Sequence, residues 1–418
     1  MTARLLSRRA ALASLGLAAA GACARPRDAR TLRVGYEVIT FAKLYEAVAR
    51  AFEAHHPGIT VKLMPGTSYV GMMSRDFRLA LVGDEPDVSH VSINAVRFYA
   101  DRNLALPLDR RVNDEPTPLT THRSIGKIGG ETRALPFAIS IPVNYFNNRL
   151  VERAGHDPRA LLDAKWPALL KIATDISALG PPVSGMFYDI AGGAALMWQL
   201  LVLGYGGQIA SADERRVAFG DDAGLRSARL LAAIRGTGQL DMSRENARMA
   251  FASGLLGSYT NTSSNMDRFS PRNMGFGVTM SPVPIDPHVG RRPAAGNAVV
   301  ITTRQPARQE TAWQYVRFVT GPIGQTIMGR LSGYLTLNRA ALDDPAGLSP
   351  YVAANPQYRA LYSLVDTLDQ WYSFPGPRSE QIASSITTRM RAILIGRQTA
   401  EAALAAMVTE AQRLLDRR

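Results

Sequence analysis

The feature that most constrains this chain is a regular alternation of helix-like and strand-like periodicity through its first third. Leu32 to Tyr36 reads as a strand, and Ala42 to His55 carries Leu44, Val48, Ala51 and Phe52 at helical spacing. His56-Pro57-Gly58 stops that helix, and Ile59 to Leu63 forms the next strand. Met72 to Leu81 is helical again, and Gly83-Asp-Glu-Pro-Asp87 turns into a strand over Val88 to Val91. Strands separated by helices cannot pair as hairpins. They must lie in parallel-rich sheets covered by helices, the α/β class.

The middle of the chain is mainly helical. Pro167 to Leu179, Ala194 to Leu203, Asp222 to Ile234 and Arg244 to Ala252 carry the pattern, and strands return at Gly275 to Pro282 and Asn297 to Thr302. The tail from Glu380 to Arg418 is helical apart from Gly396. At 418 residues the chain exceeds one core, since a domain takes about 150 residues. No solenoid repeat is present.

The first residues read as an address. Met1 to Arg9 is basic, Ala10 to Ala22 is apolar, and the chain's single cysteine, Cys23, follows. An apolar run of that length is an export signal, too short to span a bilayer. Arg8-Arg9 resembles the twin-arginine signature, although Sec signals also carry adjacent arginines. Ala20-Gly21-Ala22-Cys23 resembles a lipoprotein box with Ala20 in place of a larger aliphatic residue, so Cys23 is the expected site of lipid attachment. A periplasmic or cell-envelope location follows, and one cysteine excludes a disulfide framework and a cysteine-based zinc site.

The formal net charge is +13, yet no run of five like charges and no aromatic-basic interleaving suggests nucleic acid. The basic surface suits an anionic ligand or lipid head groups. The six histidines show no metal-ligand spacing, and no cofactor is expected. Catalytic motifs are missing apart from Ser124-Ile-Gly-Lys127, a formal Ser-x-x-Lys. Gly126 and Gly129-Gly130 place it in a loop, whereas such a pair needs one helical turn for the lysine to take the serine proton. A serine acyl enzyme is the least favoured reading, and the chain is read as a non-enzyme.

Five segments, in order, resemble the extracellular solute-binding proteins of ABC importers, in the branch that takes sugars and glycerol phosphates. They are Ala51 to Val61, with Phe52 and His56-Pro57-Gly58-Ile59; Gly83 to Val88 with Leu104 to Asp109; Ala134 to Asn147 with Ala154-Gly155; Ala250 to Gly254; and Trp313 to Phe318 with Ser332 to Leu335. The resemblance implies a two-lobe periplasmic-binding-protein fold with a ligand cleft at the hinge. The expected lobes are residues 31–141 with 297–342 and residues 142–296 with 343–418, behind an export signal at 1–22.

The resemblance also implies a function: a monomer that carries a sugar, polyol or glycerol-phosphate-type solute to a membrane permease, or reports it to a chemoreceptor or sensor. By position it places Tyr69, Ser140, Ser263, Ser264, Gly296, Gly333 and Tyr334 on the ligand. Gly376-Pro-Arg378 resembles the Gly-x-Arg element whose arginine binds phosphate in that branch. Where the branch has an acid and a tryptophan pair, this chain has Ser92-Ile-Asn94 and Tyr188-Asp-Ile-Ala-Gly-Gly193, so Asn94 and Asp189 are the expected hydroxyl partners. Trp198, at helical spacing with Leu201 and Val202, is expected in the core.

Overall fold

The structure is a computed structural model that describes Asp28 and residues 30–36 and 41–417. Arg8, Arg9 and Cys23 lie outside these residues. Two sheets organise the chain. The first contains β1 (Thr31–Tyr36), β2 (Thr60–Pro65), β3 (Val88–Ser92), β4 (Leu135–Ser140) and β9 (Ala295–Ile301), in the order β2-β1-β3-β9-β4. The second contains β5 (Pro142–Asn147), β6 (Ser184–Tyr188), β7 (Leu256–Thr262) and β8 (Val278–Pro282), in the order β8-β5-β7-β6.

Each sheet is parallel apart from one strand. β9 runs against the other four strands of the first sheet, and β5 against the other three of the second. Both reversed strands begin where the chain passes between sheets, β5 at Pro142 and β9 at Ala295 beside Ser140. Only Ile141 separates β4 from β5, and β9 brings the chain back, pairing Ala295 with Ser140.

Helices cover both sheets, and their apolar spacing decides which face is buried. Helix α1 (Ala42–His55) buries Leu44, Tyr45, Val48 and Phe52 on the first sheet, joined by Trp313, Tyr315 and Val316 of a helix over Pro306–Thr320. On the second, helix α3 (Trp166–Ser177) buries Leu169, Ile172 and Ile176. Helix α4 (Leu196–Gly204) is apolar all round and buried, with Trp198 in the core as expected. It starts two residues later than its periodicity suggests, because Ala194 and Ala195 take left-handed φ values of 44° and 51°. Such residues carry of order 1 kcal/mol of strain each.

The helices over Ser349–Ala354 and Pro356–Tyr362 stay against first-lobe residues. Leu348 packs on Gly329, and the Thr336 N–H donates to the Tyr362 hydroxyl at 3.1 Å. Contacts with first-lobe residues thus continue beyond 343 as far as Tyr362. Ser124 and Lys127 lie on an exposed turn and a two-residue strand, so no helix brings them together.

Asp87 ties the first lobe together. Its carboxylate, fully buried, accepts from Arg308 Nε at 2.7 Å and Nη2 at 2.6 Å and from the Arg33 N–H at 2.8 Å. Its carbonyl receives the N–H of Thr302 just beyond β9. Arg308→Met would leave that carboxylate buried without its cation. Urea denaturation should show a loss of about 3–5 kcal/mol.

His90 is enclosed by Tyr45, Phe137 and Tyr315, with Nδ1 unpartnered among the described residues. Burial pushes its pKa down to about 3. The unfolded chain takes up this proton below about pH 6.5 and the native protein does not, so stability falls as pH drops from that value toward 3. Between pH 7 and pH 5 His90 should account for a loss of about 2 kcal/mol. The urea midpoint of His90→Gln should be correspondingly less sensitive to pH over that interval.

Candidate functional site

Where the chain passes between sheets, the lobes enclose a cavity of about 350 Å³. The first lobe supplies Tyr69, Val70 and Met73 from helix α2 (Tyr69–Leu81) and Ser92 and Asn94 from the end of β3. Ser68 caps α2 by accepting from the Gly71 N–H at 3.0 Å, which fixes Tyr69 at the helix start. Ser140 and Gly296 form the floor. Gly296 has φ 111°, and a Cβ there would sit 2.0 Å from the Ala138 carbonyl oxygen, so no other residue fits at this bulge.

The second lobe supplies Asp189, Gly192 and Gly193, Arg244, and the run Asn261 to Asn265 apart from Ser263. Asp189 follows β6 directly and is 2 % exposed. Its carboxylate is saturated. It accepts from Arg244 Nε at 2.6 Å and Nη2 at 3.2 Å, the Tyr259 hydroxyl at 3.0 Å, Asn261 Nδ2 at 2.7 Å and the Ala191 N–H at 2.9 Å. A carboxylate so occupied organises the wall and has little left for a solute hydroxyl. Burial works against the Arg244 charge, but Asp189 outweighs it and holds the guanidinium protonated above its ordinary range, with Tyr259 and, across the cleft, Tyr69 adding to the effect. Burial and Asp189 together push the Tyr259 phenol upward, so it stays a neutral donor.

Trp371 closes the cavity from the C-terminal segment, 7 % exposed, with Nε1 buried and unpartnered among the described residues. Gln199 in α4 sets its place. The amide of Gln199 donates to the carbonyls of Tyr372 at 2.8 Å and Ala194 at 2.6 Å, and accepts from the Tyr372 N–H at 3.0 Å. The left-handed turn at Ala194-Ala195 and the aromatic segment are thus pinned by one buried side chain. The Ser373 hydroxyl then donates to the Asn94 carbonyl at 2.8 Å, joining this segment to the first lobe.

Of the residues expected on the ligand, Tyr69, Asn94, Ser140, Asp189, Ser264, Gly296 and Tyr334 line this cavity together. Three stand elsewhere. Ser263 is fully buried, and its hydroxyl accepts from the Ile141 N–H at 3.1 Å, so it fastens the crossing. Gly333 lines a second, wider chamber that shares Tyr69, Ser264, Asn265 and Tyr334 with the first. Arg378 is outside both cavities. It precedes the helix over Ser379–Leu394, and its guanidinium turns to the Arg417 carbonyl at 3.4 Å and Gln381 at 3.2 Å, which removes it as a phosphate anchor in the cleft.

Arg244, Asn261, Asn265 and Trp371 escaped the sequence reading. Arg244 opens a helix recognised by its periodicity, but its partner Asp189 is 55 residues away. Trp371 had a visible signal, since it sits in the turn-rich run Gln370-Trp-Tyr-Ser-Phe-Pro-Gly376, where no regular element would bury an aromatic. Among the described residues no group of His, Cys, Asp and Glu could hold a metal ion, and no helix is long and apolar enough to cross a membrane.

Solved structures share this architecture. The cyclic α-maltosyl-1,6-maltose binding protein of Arthrobacter globiformis superposes with a TM-score of 0.79 at 16 % identity, covering 93 % of this chain and 99 % of that one. UgpB of Mycobacterium tuberculosis, solved with glycerophosphocholine, gives 0.78 at 20 % identity, covering 92 % and 98 %. The sugar-binding protein MalE of Xanthomonas citri gives 0.79 at 15 % identity, covering 93 % and 98 %. In sequence, a Brucella abortus protein described as a binding protein is 25 % identical over 427 residues, 97 % of each chain. A family profile, bacterial extracellular solute-binding protein, matches residues 36–326. The chain belongs to the bacterial extracellular solute-binding protein family, with the two-lobe fold of the periplasmic binding proteins.

Proposed function

We propose that this protein captures a hydroxylated solute, a sugar, polyol or glycerol-phosphate-type molecule, between its lobes and delivers it unchanged to an ABC permease. The observation that carries the reading is the composition of the inner cavity. Amide and hydroxyl groups of Asn94, Asn261, Asn265, Ser140 and Ser264 surround the indole of Trp371, while the Asp189 carboxylate is spent on Arg244 and its neighbours. Solute hydroxyls donate and accept, and so do amides and hydroxyls. The C–H face of a sugar ring packs on a flat aromatic. Closing the lobes removes water and strengthens each of these bonds.

In this reading the protein works as a monomer outside the cytoplasm, held at the membrane by lipid on Cys23. The lobes are residues 31–141 with 297–342, extended by the helices to Tyr362, and 142–296 with the remaining C-terminal helices. The likeness to maltose-type and glycerophosphocholine-binding proteins supports the class of solute.

The test is the unfolding midpoint of residues 31–418 against glycerol phosphates, glycerophosphodiesters, polyols and oligosaccharides. A solute at about 100 times its Kd should add about 2.7 kcal/mol of stability and raise the midpoint. Silence across the whole panel would refute the proposed class. Calorimetry with a responding solute should show Trp371→Leu weakening binding about 3- to 10-fold through loss of the flat face and the N–H donor. Arg378→Ala, outside the cleft, should stay within about 2-fold of the parent.

A further inference from the structure

The chamber beside the inner cavity measures about 840 Å³ and differs from it in charge. Arg248 and Arg268 reach it from the second lobe and Arg330 from the first, and Asp267 is the one acid among the described lining residues. Arg248 pairs with Glu245, yet its Nε is buried without a partner, as is the Ser270 hydroxyl in the same wall. Arg268 makes neither a hydrogen bond nor an ion pair with the described residues. Arg330 donates from Nη2 to the Gly347 carbonyl at 2.6 Å, a contact that steers the guanidinium without neutralising it. The Arg244 charge of the inner cavity is matched by Asp189, as that of Arg248 is by Glu245, so the charges without an acidic partner among the described residues are those of Arg268 and Arg330.

We propose that this chamber holds an anionic group of the solute, a phosphate or carboxylate borne by the hydroxylated body in the inner cavity. The inference rests on the solute-binding reading above and narrows its class to acidic saccharides or polyols. Guanidinium forks match oxyanions in geometry and charge. Arg244 and Arg248 lie four residues apart on one helix, neighbours on its surface and roughly 6 Å apart along its axis. That is about the span of one sugar ring, so a solute hydrogen-bonded near Arg244 presents its substituent to the chamber. Because Arg330 faces Arg248 and Arg268 from the opposite lobe, closure brings like charges together unless an anion lies between them. The anion is therefore both a recognition element and a condition of closing.

Inorganic phosphate and glucuronate, titrated at low ionic strength with the unfolding midpoint as readout, test the chamber without requiring the natural solute. In R248Q/R268Q/R330Q the apparent affinity for the better oxyanion should fall at least about 10-fold. In R110Q/R159Q/R215Q, an equal loss of charge at exposed positions away from the cleft, it should change by less than about 2-fold. Equal responses of the two triple variants, or no oxyanion response in the parent, would overturn the proposal. Neutral saccharides measured on the same variants separate the readings. Their binding, weaker than that of acidic saccharides in the parent, should not weaken further in R248Q/R268Q/R330Q, and failure of both neutral and acidic saccharides to bind the parent would count against the solute-binding reading, with the chamber still judged by the oxyanion response alone.

Discussion

The passage of the chain through Ile141 governs the rest of the structure. With a single residue between β4 and β5, the two sheets cannot drift apart, and each must offer a pairing edge at the crossing. The first does so through Ala295 beside Ser140, the second through Thr262 beside Pro142. The Ile141 N–H donates to Ser263 Oγ, and its carbonyl accepts the Ser263 N–H at 2.8 Å. Every backbone polar group at this buried point thus has a partner, as burial demands. The cleft floor is made of main chain already committed to both sheets, so relative motion of the lobes has to be absorbed there by small rotations and not by separation.

A second constraint comes from desolvation. Asp189 lies almost out of water at the end of β6, where an unpaired carboxylate would be costly. Five hydrogen bonds compensate it, and they dictate where Arg244, Tyr259 and Asn261 stand. The polar wall seen by a solute is the outer surface of this network. A substitution at Asp189 would therefore act on several cleft residues at once, the coupling expected of a buried polar network.

The sequence made the layers legible because burial on a sheet imposes helical spacing. Helix α1 and the helix over Arg244–Ala252 begin and end where periodicity placed them. Much of the candidate cleft was legible only through the family resemblance, which pointed by position to Tyr69, Ser140, Ser264, Gly296 and Tyr334. What escaped depends on contacts between distant residues. Nothing local distinguishes Ser263, which clasps Ile141, from Ser264, which faces the cavity. Arg378 has the turn before it that resemblance requires, yet the end of the C-terminal helix lies within its reach and takes its guanidinium. The left-handed pair at Ala194-Ala195 is hidden for another reason, because alanine favours helix and only the pull of Gln199 and the Tyr372 backbone makes the turn intelligible.

The two ends of the inner cavity are not equivalent, which bears on how the lobes move. Toward Asn94 they are already joined. Arg97 pairs with Glu214 across the lobes, the Ser373 hydroxyl reaches the Asn94 carbonyl, and the Gly376 N–H donates to Asp101 Oδ2 at 3.2 Å. Toward Tyr334 they line the wider chamber, with Arg248 and Arg268 on one side and Arg330 on the other. A formal charge of +13 does not by itself say where an anion acts. The pairing pattern does, since many of the arginines, Arg248 among them, are matched by acids on their own lobe, whereas Arg268 and Arg330, on opposite sides of the chamber, have no acidic partner among the described residues.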